Sequence, residues 1–449
     1  MMNLIRNLGL LKIESSLAIL FSLITSILLI LGSLVVKSSD TLEQNQEMTG
    51  LQYVGLSAAA WHQEMEVYFT LKALSSETEV GLGFMEPLRI QNGSKTLIPL
   101  KFKDYSKKYE IKSRPYLSHS GILADLGKLM LGVFGFFGIS FGSGLLFLYF
   151  LNVLLNGFFV FLLLVFGFKY LLRPLARSVY TIGVFSPWVV LDSTSITLSP
   201  FIRFGGIFSI LLFWFISKKS SNLSRLFPFF VGGLVFSTIN GYEFFFFQVP
   251  VLLLFISAIY PQIKPKELIF YWARGVILAW GLSLLLWFVT LYSNLNNFWD
   301  SVENMIFTFF KHSIFRSDSP PISAVASGDS SLFILSGLTK LLTEMSIILP
   351  YPFPESLASR LRLNLDLLEN SVFLTSFTTI LVIGCLIKII RIDKPIFWFA
   401  FFSWCVAAIL TNSYVYNHPH HMPPVGLFFL LGLIILSPQT RGSYVRSNN

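Results

Sequence analysis

Charged residues are scarce in this chain of 449 residues. Asp, Glu, Lys and Arg make up 13% of the sequence, whereas soluble globular proteins carry about 25%. Apolar residues make up 54%, and many of them fall in runs close to the roughly 20 residues that cross a bilayer core of about 30 Å. One buried core could not hold so many apolar runs, so the composition excludes an ordinary soluble protein.

Cysteine is almost absent as well. The two cysteines, Cys385 and Cys405, both lie inside apolar runs. The long polar segments between those runs therefore cannot contain a disulfide or a cysteine metal site, and they must fold without either.

The apolar runs predict an all-α fold, a polytopic membrane helix bundle of about ten transmembrane helices that form one domain over residues 1–449. The first run is too long for the core of a signal peptide and lacks a small-x-small cleavage site, so we expect an uncleaved span. Two long loops, 38–128 and 293–370, separate groups of spans. The predicted spans are 16–36, 144–168, 176–192, 199–217, 226–240, 244–262, 270–292, 371–388, 395–412 and 424–437.

The positions of Lys and Arg predict how the spans are oriented. The formal charge is +9, but the basic residues form short clusters rather than one basic face, so nucleic acid is not an expected partner. Three short loops, near 193–198, 241–243 and 413–423, contain no Lys or Arg. The positive-inside rule then predicts that both termini are in the cytoplasm and that the two long loops are outside. The basic clusters lie at 6–12, 169–177, 218–225, 264–274, 388–394 and 441–446.

The first outer loop, 38–128, has sequence patterns of its own. Residues 49–74 carry apolar side chains near helical spacing, which predicts an interfacial helix. Asn92-Gly93 favours a tight turn between the segments 88–91 and 96–100, so a small β-hairpin is predicted there. The apolar and Gly-rich stretch 121–143 indicates a surface-lying or re-entrant helix before the second span.

The second outer loop, 293–370, contains two apolar stretches. An apolar stripe along residues 298–314 predicts an amphipathic helix in the membrane interface. Residues 332–349 form the second stretch, in which Lys340 and Glu344 have the i,i+4 spacing of a surface ion pair. That spacing indicates a helix that lies on the membrane rather than crossing it.

Acidic residues at the predicted outer ends of spans are the candidates for catalysis. Asp40 follows the first span by four residues, Asp192 ends the third, and Glu243 lies in the turn after the fifth. A charge beside hydrocarbon is costly and usually has a function or a partner. Structural alternatives stay open: Asp40 could be a helix cap or a solvated loop residue, and Asp192 or Glu243 could pair with Arg203, one turn inside the fourth span. We predict Asp40, Glu243 and Asp192 as catalytic candidates and Arg203 as a substrate-binding candidate.

Histidines dominate the turn before the last predicted span, Asn417-His418-Pro419-His420-His421. Imidazole groups can donate hydrogen bonds to phosphate, act as acid or base near neutral pH, or bind metal. Pro419 interrupts helical geometry and the spacing differs from that of zinc-binding helices, so contact with a phosphate or a headgroup is favoured over a tight metal site. His418, His420 and His421 are therefore predicted to bind substrate, and His119, His312 and Arg316 are weaker candidates for the same role.

The order of these features resembles the C superfamily of membrane glycosyltransferases, which use polyprenyl-phosphate-linked sugars. In outline the likeness covers the whole chain: Asp40 follows the first span, a large outer loop comes next, and a second large outer loop follows the seventh span. The resemblance implies that an acidic residue of the first outer loop is the base that activates the acceptor. In some members it also implies a divalent cation held by acidic residues.

Shorter stretches are similar to a loosely defined group of bacterial membrane proteins associated with surface-polysaccharide production. These stretches are residues 114–121, 186–188 and 240–243 together with the histidine turn. The similarity implies a role in cell-surface polysaccharide and a multi-pass location in the bacterial inner membrane, but no particular activity.

The resemblance implies transfer of a sugar from a polyprenyl-phosphate-linked donor to a glycan or lipid acceptor at the outer face, with membrane lipids as further partners. Two other classes of function stay open. A polysaccharide polymerase or ligase could bind phosphate through His312 and Arg316. A non-enzymatic transporter would place its polar residues at mid-membrane, and the sequence shows no internal repeat that would favour this class.

Overall fold

The computed structural model of the chain describes residues 84–91, 94–97, 111–116, 129–130, 132–139, 141–171, 173–185, 189, 193, 199–217, 223–238, 243–307, 394–410 and 422–436. Helices dominate these residues, in agreement with the predicted all-α class, and a small sheet is the exception. The helices predicted at 49–74 and 332–349 lie outside the described residues.

Three antiparallel strands lie in the region predicted as the first outer loop. β1 (Phe84–Gln91) pairs with β2 (Ser94–Leu97) on one side and with β3 (Ile111–Tyr116) on the other. Gln91 is opposite Ser94 in the register, so the two residues Asn92-Gly93 connect β1 to β2 in the sequence. Asn-Gly is favoured in two-residue hairpin connections because both residues tolerate positive φ angles. β3 is a strand that the sequence analysis did not predict.

The helices are numbered in chain order. Most of them begin and end within about five residues of a predicted span or amphipathic stretch. They are α1 (Phe141–Tyr170), α2 (Pro174–Val184), α3 (Pro200–Arg203), α4 (Gly205–Ile216), α5 (Leu223–Ser237), α6 (Glu243–Ile259), α7 (Pro265–Leu295), α8 (Phe298–Phe307), α9 (Lys394–Leu410) and α10 (Met422–Leu436).

Two helical stretches are by themselves long and apolar enough to cross a membrane, Phe150–Tyr170 in α1 and Pro265–Ser293 in α7. Five further apolar helices in the described part of the chain have only 10–17 residues. Since a span needs roughly 20 residues, the two long helices indicate association with a membrane, and the number of about ten spans stays a prediction.

The predicted fourth span, 199–217, is not one continuous helix. α3 has only four residues, and Phe204 separates it from α4 with φ −106° and ψ 35°, outside the helical region. Pro200 occupies the start of α3, where its fixed φ suits a helix and its missing N–H is not needed. The prediction is therefore corrected here: the chain makes a short helical turn, breaks at Phe204 and starts a new helix.

Contacts along the helices show that α1 and α4 run in the same direction, opposite to α5. Phe159 of α1 contacts Phe208 of α4, and farther along both helices Tyr170 contacts Trp214. Gly205, the first residue of α4, lies against the backbone of α5 near its last turn. α4 and α5 therefore form an antiparallel pair.

α7 runs in the same direction as α5. Tyr271, early in α7, donates a hydrogen bond to the carbonyl of Leu223 at the start of α5, and Thr238 at the end of α5 donates to Ser283. α6 runs the opposite way to α7, because Trp272 of α7 donates to the carbonyl of Val249 whereas Trp280 contacts Phe246, earlier in α6.

α6 lies at the centre of the packed helices, with Val251 to Ile256 each 0% exposed. Leu254 lies beside Gly432 of α10, and Trp404 of α9 contacts both Phe247 of α6 and Phe429 of α10. Phe247 and Phe429 both lie beside Trp404, and the later residues Leu254 and Gly432 lie beside each other. The two helices α6 and α10 therefore run in the same direction. The bundle therefore has one end at which α4, α6 and α10 begin and α5 and α7 finish, which we name the Arg203 end. The opposite end is named the Lys169 end.

α7 lies at the edge of the bundle, and one of its faces is apolar and exposed. Ile277 is 72% exposed, and Leu285 and Val289 are also exposed. At the Arg203 end, Asn296 adopts the left-handed conformation with φ 50°, and the next residue caps α8. Asparagine tolerates this conformation better than most residues do, so the chain can turn sharply from α7 into the amphipathic α8.

Candidate functional site at the Arg203 end

Of the residues predicted to form a site, the structure describes Arg203 in full and Glu243 by its backbone. Glu243 is the first residue of α6. The other predicted site residues lie outside the described residues, so their roles stay predictions. They are Asp40, Asp192, His119, His312, Arg316, His418, His420 and His421.

Arg203 is the last residue of α3 and is only 1% exposed. Its guanidinium carbon lies 4.3 Å from the centre of the Phe244 ring, in the first turn of α6. A guanidinium group over an aromatic face gains a cation–π interaction, which strengthens when the pair is removed from water. A buried charge in apolar surroundings is nevertheless costly, and it usually serves a function or binds an anion. Among the described helices, Arg203 is the basic residue at this end of the bundle.

A group of buried amides and hydroxyls lies on the α1 side of Arg203. Asn156 donates to the hydroxyl of Ser199 at 2.9 Å and to the carbonyl of Asn152 at 3.0 Å. The Asn156 side-chain oxygen accepts the backbone N–H of Phe201 at 3.0 Å. Asn152 donates to the carbonyl of Ser193 at 3.1 Å. These bonds tie α1 to the residues before α3, and all four polar side chains in the group are buried.

A second buried amide lies on the α6 side of Arg203. The oxygen of Gln248 accepts the backbone N–H of Gly206 at 2.9 Å. The Gln248 amide nitrogen donates to the hydroxyl of Ser237 at the end of α5 and to the carbonyl of Phe244 at 3.3 Å. Gln248 and Ser237 are both 0% exposed. Three helices are thereby joined by one side chain.

Three buried amides of this end, Asn152, Asn156 and Gln248, are not among the predicted site residues. A signal was present for the two asparagines, because they are four residues apart in an apolar run and therefore share one helix face. Polar side chains within such runs usually face the interior of a bundle, where other helices supply hydrogen-bond partners. Gln248 offered a weaker signal, as a lone amide in the apolar run of α6.

Chain connectivity relates several predicted residues to this end of the bundle. Glu243 precedes Phe244, whose ring contacts Arg203. In sequence, Asp192 directly precedes Ser193, whose carbonyl accepts from Asn152, and the histidine turn directly precedes Met422, the first residue of α10. Of the residues described in the structure, no group of three or more His, Cys, Asp and Glu could hold a metal ion.

The Lys169 end differs in chemistry from the Arg203 end. The Lys169 ammonium lies 4.8 Å from the centre of the Trp214 ring, and Trp214 donates to the hydroxyl of Tyr170 at 3.0 Å. Arg177 donates to the carbonyl of Phe168, in the last turn of α1, at 3.2 Å. It also donates to the carbonyl of Leu171, the residue after α1, at 2.6 Å. Five other basic residues in the described part of the chain lie at or near this end: Arg173 before α2, Arg225 in the first turn of α5, Lys264 and Lys266 at the start of α7, and Arg274 farther along α7 beside Phe227.

Comparison of the chain with protein-family models, with curated proteins and with solved structures gives no match. The site is thus defined by its own geometry: a buried guanidinium group, an aromatic ring that contacts it, and two amides that hold the backbone on either side. A buried guanidinium presents donors in a planar fork that suits phosphate or carboxylate oxygens.

Proposed function

We propose that the protein is an integral membrane glycosyltransferase, which transfers a sugar from a polyprenyl-phosphate-linked donor to a glycan or lipid acceptor. The observation that carries the proposal is the burial of Arg203 among apolar helices, at the end of the bundle where α6 starts at Glu243. Arg203 would bind the donor phosphate, and Asp40, Glu243 or Asp192 would supply the base. His418, His420, His421, His119, His312 and Arg316 would add contacts to phosphate or sugar, and a divalent cation could assist.

Crossing of the membrane is supported by α7. Tyr271 and Tyr292 lie 21 positions apart, which at about 1.5 Å per residue corresponds to roughly 32 Å, close to the thickness of a bilayer core. Tyrosine and tryptophan prefer the two membrane interfaces, and the exposed apolar face between these tyrosines suits lipid chains.

Orientation is supported by the basic residues at the Lys169 end. Basic residues next to spans favour the cytoplasmic side, so the Lys169 end would face the cytoplasm of a bacterial inner membrane and the Arg203 end would face outward. Both termini would then be cytoplasmic, in a multi-pass protein.

The reaction needs a base and a group that stabilises the leaving phosphate. An acceptor hydroxyl oxygen attacks the anomeric carbon of the donor sugar, and the bond between that carbon and the phosphate oxygen breaks. The hydroxyl proton passes to the carboxylate base, while the electron pair of the broken bond leaves with the polyprenyl phosphate. Arg203 would stabilise the negative charge that develops on the leaving group, and the base would contribute about 10² to 10⁴ to the rate.

Binding of a lipid phosphate tests the proposal directly. Wild-type protein in lipid nanodiscs is titrated with undecaprenyl phosphate and, separately, with the corresponding alcohol, and dissociation constants are measured by native mass spectrometry. We expect the phosphate to bind more tightly than the alcohol. Arg203→Gln should weaken phosphate binding by about 10- to 100-fold, the usual effect of losing a hydrogen bond to a charged group.

A matched control is Arg274→Gln. Arg274 also lies over an aromatic ring, 5.6 Å from Phe227, but it belongs to the Lys169 end. This substitution should leave the dissociation constant for the phosphate within about twofold of the wild-type value, because it removes a positive charge that is far from the site. Equal affinity for phosphate and alcohol, or an Arg203→Gln variant that binds phosphate as wild type does, would overturn the proposal.

A further inference from the structure

Two buried amides accept backbone N–H groups on the two sides of Arg203. Asn156 of α1 accepts the N–H of Phe201 at 3.0 Å, and Gln248 of α6 accepts the N–H of Gly206 at 2.9 Å. Between these two positions the chain ends α3, breaks at Phe204 and starts α4. The break is therefore held from two different helices.

These bonds meet a need that the start of each helix creates, α3 at Pro200 and α4 after the break at Phe204. The first N–H groups of a helix have no partner within that helix, so α3 and α4 together leave more such donors than one continuous helix would. In an interior without water, a backbone N–H group that has no acceptor destabilises the fold by several kcal/mol. The break thus explains the Gln248 amide, which accepts the Gly206 N–H, and the start of α3 explains the Asn156 amide, which accepts the Phe201 N–H.

The orientation of each amide is fixed by its own nitrogen. Asn156 donates to Ser199, and Gln248 donates to Ser237 and to the carbonyl of Phe244. Rotating either amide by 180° would place its NH₂ group against a backbone N–H, so that two donors would face each other. The amide oxygen must therefore face the backbone N–H. Gln248 in this way connects the N–H of Gly206 to the residue whose ring contacts Arg203.

We propose that Asn156 and Gln248 are positioning residues, which hold the Phe204 break and thereby keep the Arg203 guanidinium buried over the Phe244 ring. For its consequence in catalysis this inference rests on the proposed function, since Arg203 is the group that would meet the donor phosphate. The positioning itself is a property of the folded chain, and it can be measured without any substrate.

Chemical modification of arginine measures the positioning. Phenylglyoxal reacts with accessible guanidinium groups, and peptide mass spectrometry of the full-length protein in nanodiscs gives the rate at each arginine. In wild type, Arg203 should react at least about tenfold more slowly than the exposed Arg173. Gln248→Met and Asn156→Leu remove the acceptor oxygen with little change in volume, and each should raise the Arg203 rate by about tenfold, while Arg274 keeps its wild-type rate.

Conservative and control variants separate positioning from general loosening. Gln248→Glu keeps an oxygen at the Gly206 N–H and should restore slow modification of Arg203. Ser257→Ala is the control, because Ser257 is a buried residue of the same helix whose hydroxyl has no hydrogen-bond partner in the described part of the chain. It should leave the Arg203 rate unchanged. An Arg203 rate within about twofold of wild type in both Gln248→Met and Asn156→Leu would overturn the inference.

Two further measurements cover other outcomes. If Gln248→Met does not fold, Ser237→Ala is measured instead, because it removes one of the two acceptors that orient the Gln248 amide. That variant should speed Arg203 modification measurably, and no increase would count against the inference. Titration with undecaprenyl phosphate distinguishes the two proposals: wild type that shows no phosphate binding, together with variants that expose Arg203, would support the positioning and refute the proposed function.

Discussion

The two ends of the bundle differ in the surroundings of their positively charged side chains. At the Lys169 end, basic side chains are numerous and either exposed or bonded to helix carbonyls, as Arg177 is. At the Arg203 end, the described helices carry one buried guanidinium group, which lies over an aromatic ring. The backbone on its two sides donates hydrogen bonds to the side-chain amides of Asn156 and Gln248. Charges of the first kind need only water or lipid headgroups around them, and next to membrane spans such charges favour the cytoplasmic side. A buried charge of the second kind needs aromatic or polar groups around it that stabilise it, and it indicates a binding or catalytic site.

The sharpest test of this contrast is which end faces outward. A reporter enzyme that is active only outside the cytoplasm should be active when fused after Ser94 or Ser327, and silent when fused after Ser220 or at Asn449. In the sequence, Ser220 comes between the last residue of α4 and the first residue of α5, and those two helix termini lie at the Lys169 end. Activity of the Ser220 fusion would place that end outside, and the proposed site would then open toward the cytoplasm.

A second test asks whether the Arg203 end depends on close helix contact. A Cβ atom on Gly233 would lie 2.6 Å from the carbonyl oxygen of Gly205, whereas one on the adjacent Gly232 would meet nothing within 4 Å. Gly233→Ala should therefore destabilise the protein by about 3 kcal/mol, as overpacking does. Gly232→Ala should be neutral or stabilising by up to about 1 kcal/mol, since alanine is the better helix former.

Unfolding in mild detergent, followed by temperature and by size-exclusion profile, compares the two glycine variants. Equal stability of the two would show that α4 and α5 are not packed as closely as the structure has them.

The smallest effect is expected at the Lys169 end. Arg177→Gln removes donors to the Phe168 and Leu171 carbonyls and should cost about 1 to 2 kcal/mol, the range for a favourable cation at a helix C-terminus. Arg173→Gln, at an exposed position, should change stability by less than about 0.5 kcal/mol. The same thermal measurement checks both, and a loss as large for Arg173 as for Arg177 would contradict the role of the carbonyl contacts.

Helix positions were largely predictable from the sequence, because an apolar run that reaches across a bundle has few other ways to satisfy its backbone. The turn between β1 and β2 was predictable from Asn92-Gly93 for a local reason, the positive φ angles that a two-residue connection needs. Both predictions depend only on residues close together in the chain.

The break at Phe204 was not predictable in the same way. Glycines at 205 and 206 weaken the helix locally, but a continuous helix was equally consistent with the apolar run from 199 to 217. The acceptors for the N–H groups on the two sides of the break belong to α1 and α6, at positions 45 residues before Phe201 and 42 residues after Gly206, so local sequence carries no sign of them. Arg203 could be selected as a candidate from the sequence, whereas its burial and the ring beneath it depend on tertiary packing.

The length of α7 has a consequence for the environment in which the protein works. Its 31 residues make a rod of roughly 46 Å, about the full thickness of a bilayer with its headgroups, and it lies at the edge of the bundle with one side uncovered. In the proposed membrane-spanning protein, such a helix would respond to hydrophobic mismatch, because a thinner bilayer would have to tilt it or thicken around it, at a fraction of a kcal/mol per ångström. Since α7 contacts α5 and α6, whose ends meet at the Arg203 end, lipid chain length would then alter the shape of the proposed site without any ligand.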